Sequence, residues 1–258
     1  MKNESPLILV SNDDGVTAKG INELIRMLRP LGEVVVMAPD SPRSGAACSL
    51  TSKSPVHYAL YHREEGLTVY ACSGTPVDCV KLAMHDALPR RPDVVIGGIN
   101  HGDNSAVNVH YSGTMGVVLE GCMKGVPSIG FSLCDHDPDA DFAPLTAYVQ
   151  GITKEVLRHG LPGGVCLNVN FPLVPSFRGV KVCRQTRGGW HNEWADCLHP
   201  YKTHYYWLTG SFQSDDEGED SDAWALNNGY VAITPVKIDV TAYEMMEQMK
   251  DWNLDIYL

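Results

Sequence analysis

The sequence predicts an α/β fold: a doubly wound, mostly parallel sheet with helices on both faces, extended towards the C-terminus by β-hairpins. Three observations predict it. Short β-branched runs alternate with segments of helical period through the first half of the chain. The runs are continuously apolar, as in "LILV" and "VVVM", which marks strands covered on both faces. From about residue 180 the texture changes to shorter pieces rich in aromatics, the pattern of antiparallel hairpins.

The elements follow in order. "PLILVS" reads as the first strand, "GINELIRMLRPLG" as an amphipathic helix and "EVVVMAP" as the second strand. Thr75 followed by Pro76 opens the helix "VDCVKLAMHDAL" as N-cap and first-turn proline. "PDVVIGGI" and "PSIGFSL" are strands, with the helix of "SGTMGVVLEGCMKG" between them, capped by Ser112 or Thr114. "GVKVCRQTR", "THYYWLTG" and "GYVAITPV" read as hairpin pieces. Between the last two lies "SDDEGEDSD", whose six acids and lack of any base predict a solvated, mobile loop. An amphipathic helix from about Thr241 closes the chain. The expected organisation is a single domain over 1–258, with a core of about 1–180 and 229–258 and a hairpin extension, suited to oligomerisation, over about 181–228.

At 258 residues, with 44% hydrophobic and 20% charged residues, the chain has ample material for a buried core. A net charge of −11 argues against a broad basic surface for nucleic acid. It leaves room for a small phosphorylated ligand, because a local metal ion or helix terminus can outweigh the global charge. Eight cysteines without a CxxC pair read as buried free thiols of a reducing compartment, hence a cytoplasmic protein. The apolar run "LILV" is too short for a signal segment, and no stretch is long and apolar enough for a membrane span.

In open α/β sheets ligands bind outside the carboxyl ends of the strands, which directs attention to three loops. The first is Asn12-Asp13-Asp14-Gly15. Adjacent side chains on a straight strand point to opposite faces, so the two carboxylates converge only if the backbone turns, a freedom that Gly15 supplies. Converging carboxylates suit Mg²⁺ or Mn²⁺, although by itself the loop reads more readily as an Asx turn capping the next helix. The second loop, "APDSPRSGAACSLT" (38–51), offers Asp40, Arg43 and the Ser44-Gly45 pair, and alone it resembles any surface loop. The third, "GGINHGDNSAVNVHYSGTMG" (97–116), carries Asn100, Asn104 and Asn108 and ends in Ser112-Gly113-Thr114 at a helix start. Free amides and hydroxyls there make either an anion site or a simple cap. Hard oxygens at one strand end and an anion cradle at another suit metal-assisted phosphate ester hydrolysis.

Other motifs fail. There is no GxxxxGK[ST] and no GxGxxG. "DHDPDAD" (135–141) begins like a calcium loop, but Ala140 and Thr146 occupy its obligatory Gly and Glu positions. Trp190, Trp194, Tyr205, Tyr206 and Trp207 could form a stacking platform for a base, yet aromatics in hairpins are more often packing or interface groups.

"ILVSNDDGV", "VVVMAPDSPRSGAACSLT", "SGTPVDCV", "RPDVVIGGINHGDN", "YSGTMGVVLEG" and "GYVAITPVKIDVTAY" together resemble the SurE family of metal-dependent nucleotide phosphatases, in order over about residues 6–245. The resemblance implies a Rossmann-like core, one divalent metal ion per subunit, Mg²⁺ or Mn²⁺, and hydrolysis of nucleoside 5′-monophosphates, extending in relatives to 3′-monophosphates and short polyphosphate. It implies metal ligation by Asp13, Asp14, Ser44 and Asn100, proton transfer by one of the two acids, with Asp13 favoured, and phosphate contacts from Asn104, Ser112, Gly113 and Thr114. It implies a homodimer or homotetramer. The segment 190–222 departs from the family pattern, which bears on the tetramer and on substrate range. Two other classes remain open: a nucleotide- or metal-sensing module without turnover, and a nucleotide-sugar transferase. The latter would need a second α/β domain where this chain has hairpins.

Overall fold

The computed structural model describes residues 5–216 and 218–254. Nine strands form the main sheet: β1 (Leu7–Ser11), β2 (Glu33–Pro39), β3 (Tyr58–Glu64), β4 (Leu67–Cys72), β5 (Val94–His101), β6 (Ser128–Leu133), β7 (Val165–Phe171), β8 (Val180–Val182) and β13 (Val231–Lys237). Their order is β3-β4-β2-β1-β5-β6-β7-β13-β8. The run from β4 through β7 is parallel throughout, while β3 and β13 join antiparallel to β4 and β7. The order runs outward from β1 in both directions, so the switch point lies between β1 and β5.

Helices α1 (Lys19–Leu28) and α4 (Thr146–His159) pack together on one face, and α2 (Pro76–Leu82) and α3 (Gly113–Met123) on the other. The alternation of β1 feeds both layers. Ile8 and Val10 join the cluster of α1 and α4, whereas Leu9 joins Met37, Cys79 and Val117 beneath α2 and α3. Burying each such side chain is worth about 2 kcal/mol, and this holds the strand that carries the site loop. The expected start of α2 is present: Thr75 and Asp78 form a reciprocal capping box with Pro76 in the first turn. The helix runs only to Leu82 and continues as a π turn over Ala83–Ala87.

Two expectations are corrected here. The piece at 180–182, expected at the start of the hairpin extension, is an edge strand of the main sheet, parallel to β13, while the piece at 231–237, in the expected core, joins that sheet antiparallel to β7. Each can satisfy its backbone only beside a strand distant in sequence, which local pattern does not reveal. The genuine extension is a pair of two-stranded ribbons: β9 (Gly188–His191) with β12 (Ser211–Ser214), and β10 (Trp194–Leu198) with β11 (His204–Leu208). In the acidic segment Asp215, Glu219 and Asp220 are exposed, as a solvated loop requires, and Glu217 lies outside the described residues, but the segment is fastened at Asp216 and Asp222. The side chain of Asp216 is only 4% exposed and pairs with Arg184, which also holds Asp220 at 2.8 Å. Asp222, 1% exposed, begins helix α5 (Asp222–Asn227). The C-terminal helix α6 (Tyr243–Met249) forms as expected but buries no residue. Hairpin β3–β4 has an outer strand, YALYHRE, that is exposed along nearly its whole length and so shows no buried face.

Candidate functional site

The loop after β1 turns through Asn12, whose side chain is fully buried and closes an Asx turn with both the amide and the carbonyl of Gly15. Gly15 has φ +99°, a value that disfavours any side chain. This turn places Asp13 and Asp14 at the switch point, beside the end of β5 where Asn100 and His101 sit. The carbonyl of Asp13 accepts the amide of Arg43 at 2.7 Å, which draws Ser44 to the rim. Asp13, Asp14, Ser44, Asn100, Asn104 and Ser112 line one cavity of about 290 Å³.

Gly113 and Thr114 lie behind that wall. A Cβ on Gly113 would stand 2.6 Å from Cβ of Asp13, so only glycine lets α3 approach so closely. Thr114 is fully buried, and its hydroxyl donates to Oδ1 of Asp13 at 2.7 Å. Its geometry therefore differs from the expected phosphate contact: it orients a carboxylate. Ser112 caps α3 by accepting the amide of Met115 at 3.0 Å while also lining the cavity. Asn104 is buried in a polar network. Its amide nitrogen donates to Asn170, its side chain to Ser132, and its carbonyl accepts from Asn168.

Electrostatics follow from this burial. Asp13 is 4% exposed, and burial, opposed by the Thr114 hydrogen bond and reinforced by the charge of Asp14, pushes its carboxyl up to about 6. Burial also raises Asp14, against the lowering effect of His101, whose Nδ1 stands 3.7 Å from Oδ2. That Oδ2 is buried without a hydrogen-bond partner. The side-chain NH₂ of Asn100 is committed to the carbonyls of His101 and Gly102, leaving its amide oxygen available. Among the described lining residues there is no lysine or arginine. A buried carboxylate from Asp13, a half-buried one from Asp14, a free amide oxygen and a serine hydroxyl are a donor set fitted to a hard cation.

The family model described as Survival protein SurE matches residues 8–192. The chain belongs to the SurE family. 5′-Nucleotidase SurE of Phocaeicola vulgatus is 65% identical over 257 residues, covering 99% of this chain and 100% of that relative. 5′-Nucleotidase SurE of Bacteroides thetaiotaomicron is 61% identical, covering 98% of each. The crystal structure of SurE protein from Aquifex aeolicus matches with a TM-score of 0.82 at 36% identity, covering 95% of this chain and 98% of that one.

Several residues of this SurE-family cavity escape sequence reasoning. His101 and Asp103 lie inside the third loop but carry no motif of their own. The buried Asn168 and Asn170 alternate with apolar residues in β7, and that period-two polar pattern in an otherwise buried strand is the signal that could have found them. Trp190 reaches the cavity from β9, with its Nε1–H donating to Oδ1 of Asn108 at 2.8 Å. The other four aromatics of the suggested platform do not line it.

Proposed function

We propose that this SurE-family chain is a 5′-nucleotidase: it adds water to a nucleoside 5′-monophosphate and releases nucleoside and inorganic phosphate. The observation that carries the reading is the pairing of Asp13 and Asp14 in a cavity lined by no lysine or arginine. A phosphate dianion entering such a cavity meets negative charge unless a cation intervenes, and the full-length relatives named above are 5′-nucleotidases. Asp13, Asp14, Ser44 and Asn100 would hold one divalent ion, Mg²⁺ or Mn²⁺, which would supply polarisation of the phosphoryl oxygens. Asp13 is oriented for that duty by Thr114. Burial raises its proton affinity and suits it to accept the proton of the attacking water. Asn104 and Ser112, which line the cavity, would offer neutral donors to the phosphate, with Gly113 behind them against Asp13, so binding does not require a lysine or arginine. Activity towards 3′-monophosphates and short polyphosphate belongs to the same proposal, because the donors grip the phosphoryl group.

All eight cysteines are free, which supports a cytoplasmic location. Among the described residues no helix is long and apolar enough to cross a membrane. The ribbons at 188–214 and the exposed C-terminal helix support a homodimer or a homotetramer. The test is substitution: Asp13→Asn and Asp14→Asn each abolish phosphate release and leave the circular dichroism spectrum unchanged, since they remove charge without volume. Full activity in either variant would sink the site assignment. Nucleotide binding without release by the parent protein would make it a sensor instead.

A further inference from the structure

The turn after β6 is the segment that begins like a calcium loop, and its acids have another use. The amide of Asp137 donates to Oδ1 of Asp135 at 2.9 Å, and that of Asp139 to Oδ1 of Asp137 at 2.8 Å, so two carboxylates are spent on folding the turn. Both ends are fastened. Lys19 donates through Nζ to the carbonyl of Asp139 at 2.8 Å, and the amide of Gly102, just past β5, donates to the carbonyls of Leu133 and Asp135 at 2.8 and 3.0 Å. Between those anchors the turn presents His136.

His136 is exposed and lines the cavity of Asp13, Asp14 and Asn100. Its ring lies against Gly102: a Cβ there would stand 2.3 Å from Cε1 and 2.9 Å from Nδ1, so only glycine leaves room for the imidazole. Among the described residues neither ring nitrogen has a hydrogen-bond partner, which leaves both to a ligand. The other histidine of the cavity is already engaged. The side chain of His101 is only 16% exposed, with Nδ1 3.7 Å from Oδ2 of Asp14 and its ring edge-on to Phe142 at 5.1 Å. Oδ2 of Asp103 is likewise taken, by the amide and the hydroxyl of Ser105.

Hydrolysis of a phosphate monoester moves a proton at two places. The attacking water gives one up, a duty already given to Asp13, while the ester oxygen gathers negative charge as its bond to phosphorus breaks. An alkoxide departs slowly unless a positioned acid meets it with a proton in the transition state. We propose that His136 is that acid. Its protonated ring donates N–H to the leaving ester oxygen. The P–O bond breaks with its electron pair on that oxygen, which takes the proton, and the water oxygen forms the new bond to phosphorus. Asp13 then returns the proton of the water to solvent, and the exposed imidazole regains one from it. The inference rests on reading the cavity as a phosphatase site.

The test is leaving-group dependence, measured as kcat/KM of the full-length enzyme in Mg²⁺ for adenosine 5′-monophosphate and for phenyl phosphates graded from p-nitrophenyl to p-methoxyphenyl. The aryl esters are alike in size and differ in how much their leaving oxygen needs a proton. His136→Gln removes the transferable proton and keeps a polar side chain of similar reach. It should lower kcat/KM for the nucleotide by about a hundredfold or more, the scale of one general acid, and that for p-nitrophenyl phosphate by less than about threefold. The nitro-to-methoxy ratio should therefore widen by about tenfold or more. A side chain that only binds substrate or shapes the turn would lower all the aryl esters alike. An unchanged ratio in His136→Gln, or a widened ratio that appears in His101→Gln or Tyr111→Phe instead, would overturn the assignment and leave the phosphatase reading standing. The rise in thermal midpoint on adding Mn²⁺ should be the same in His136→Gln as in the parent, and its loss would make His136 part of the metal site instead of the acid. A parent enzyme that releases phosphate from no ester overturns both readings.

Discussion

Asp13 is 4% exposed, presses against Gly113 and Asp14, and is raised by that burial to about 6. A carboxyl whose pKa is higher folded than unfolded favours the fold while protonated. Its contribution is therefore complete below the ordinary carboxyl range and is lost as pH rises through about 6. A bound cation reverses the preference, because it requires the carboxylate. The thermal midpoint of the protein should accordingly rise on adding Mg²⁺ or Mn²⁺ at pH 7.5, and the increment should shrink as pH falls through about 6. Differential scanning calorimetry with and without metal measures it, and an increment independent of pH between 5 and 7.5 would contradict ligation by these acids. At this scale the sequence was informative where residues announce themselves by type. The two acids and the Ser44 hydroxyl could be read as hard-oxygen donors at strand ends, while their grouping with Asn100 as one ligand set was implied by the resemblance to the SurE family. The role of Thr114 was not, because its hydroxyl turns towards Asp13 only when α3 docks against the first loop through Gly113.

Loop 103–111 is held in place by an element far along the chain. Asp222, at the first turn of α5, accepts the amide of Ala106 at 3.0 Å through Oδ2, and the amide and hydroxyl of Thr186 through Oδ1 at 3.0 and 2.5 Å. It thus ties the site loop to the base of the ribbons. Asp222→Ala leaves those donors buried without an acceptor and should cost about 2–4 kcal/mol of stability. Because the loop carries Asn104 and Asn108, the same variant should raise KM for nucleotide more than it lowers kcat. Urea unfolding and steady-state kinetics check both, and a wild-type KM would show that the loop holds itself. Sequence reasoning placed the strands and helices of the first half because parallel βα units are locally encoded by apolar runs, caps and turns. It misassigned β8 because the choice between ribbon and sheet edge depends on its partner β13, about 50 residues away. It misjudged the acidic segment for a related reason. Charge runs stay solvated unless a counterion waits elsewhere, and Arg184, with Thr186 beside it, is that partner.

The whole molecule combines a net charge of −11 with a ribbon whose side chains are unusually bare: Trp194, Trp207 and Leu208 are 65%, 64% and 69% exposed. Apolar surface of this kind on a folded chain marks an interface. Multi-angle light scattering at micromolar concentration should therefore give at least a dimer, and Trp207→Lys should lower the assembly state. A stable monomer in the parent protein would contradict the reading. The doubly wound core explains why the site lies where it does. The sheet reverses its winding between β1 and β5, and the loop leaving β1 carries the acids while the last residues of β5 carry the asparagine. The central claim is that those residues hydrolyse a nucleotide with the help of a divalent ion. Its most direct test is phosphate release from a panel of nucleoside 5′-monophosphates, before chelation, after chelation and after adding back Mg²⁺ or Mn²⁺. The account predicts release that chelator abolishes and either metal restores. Release that persists undiminished in chelator would contradict it.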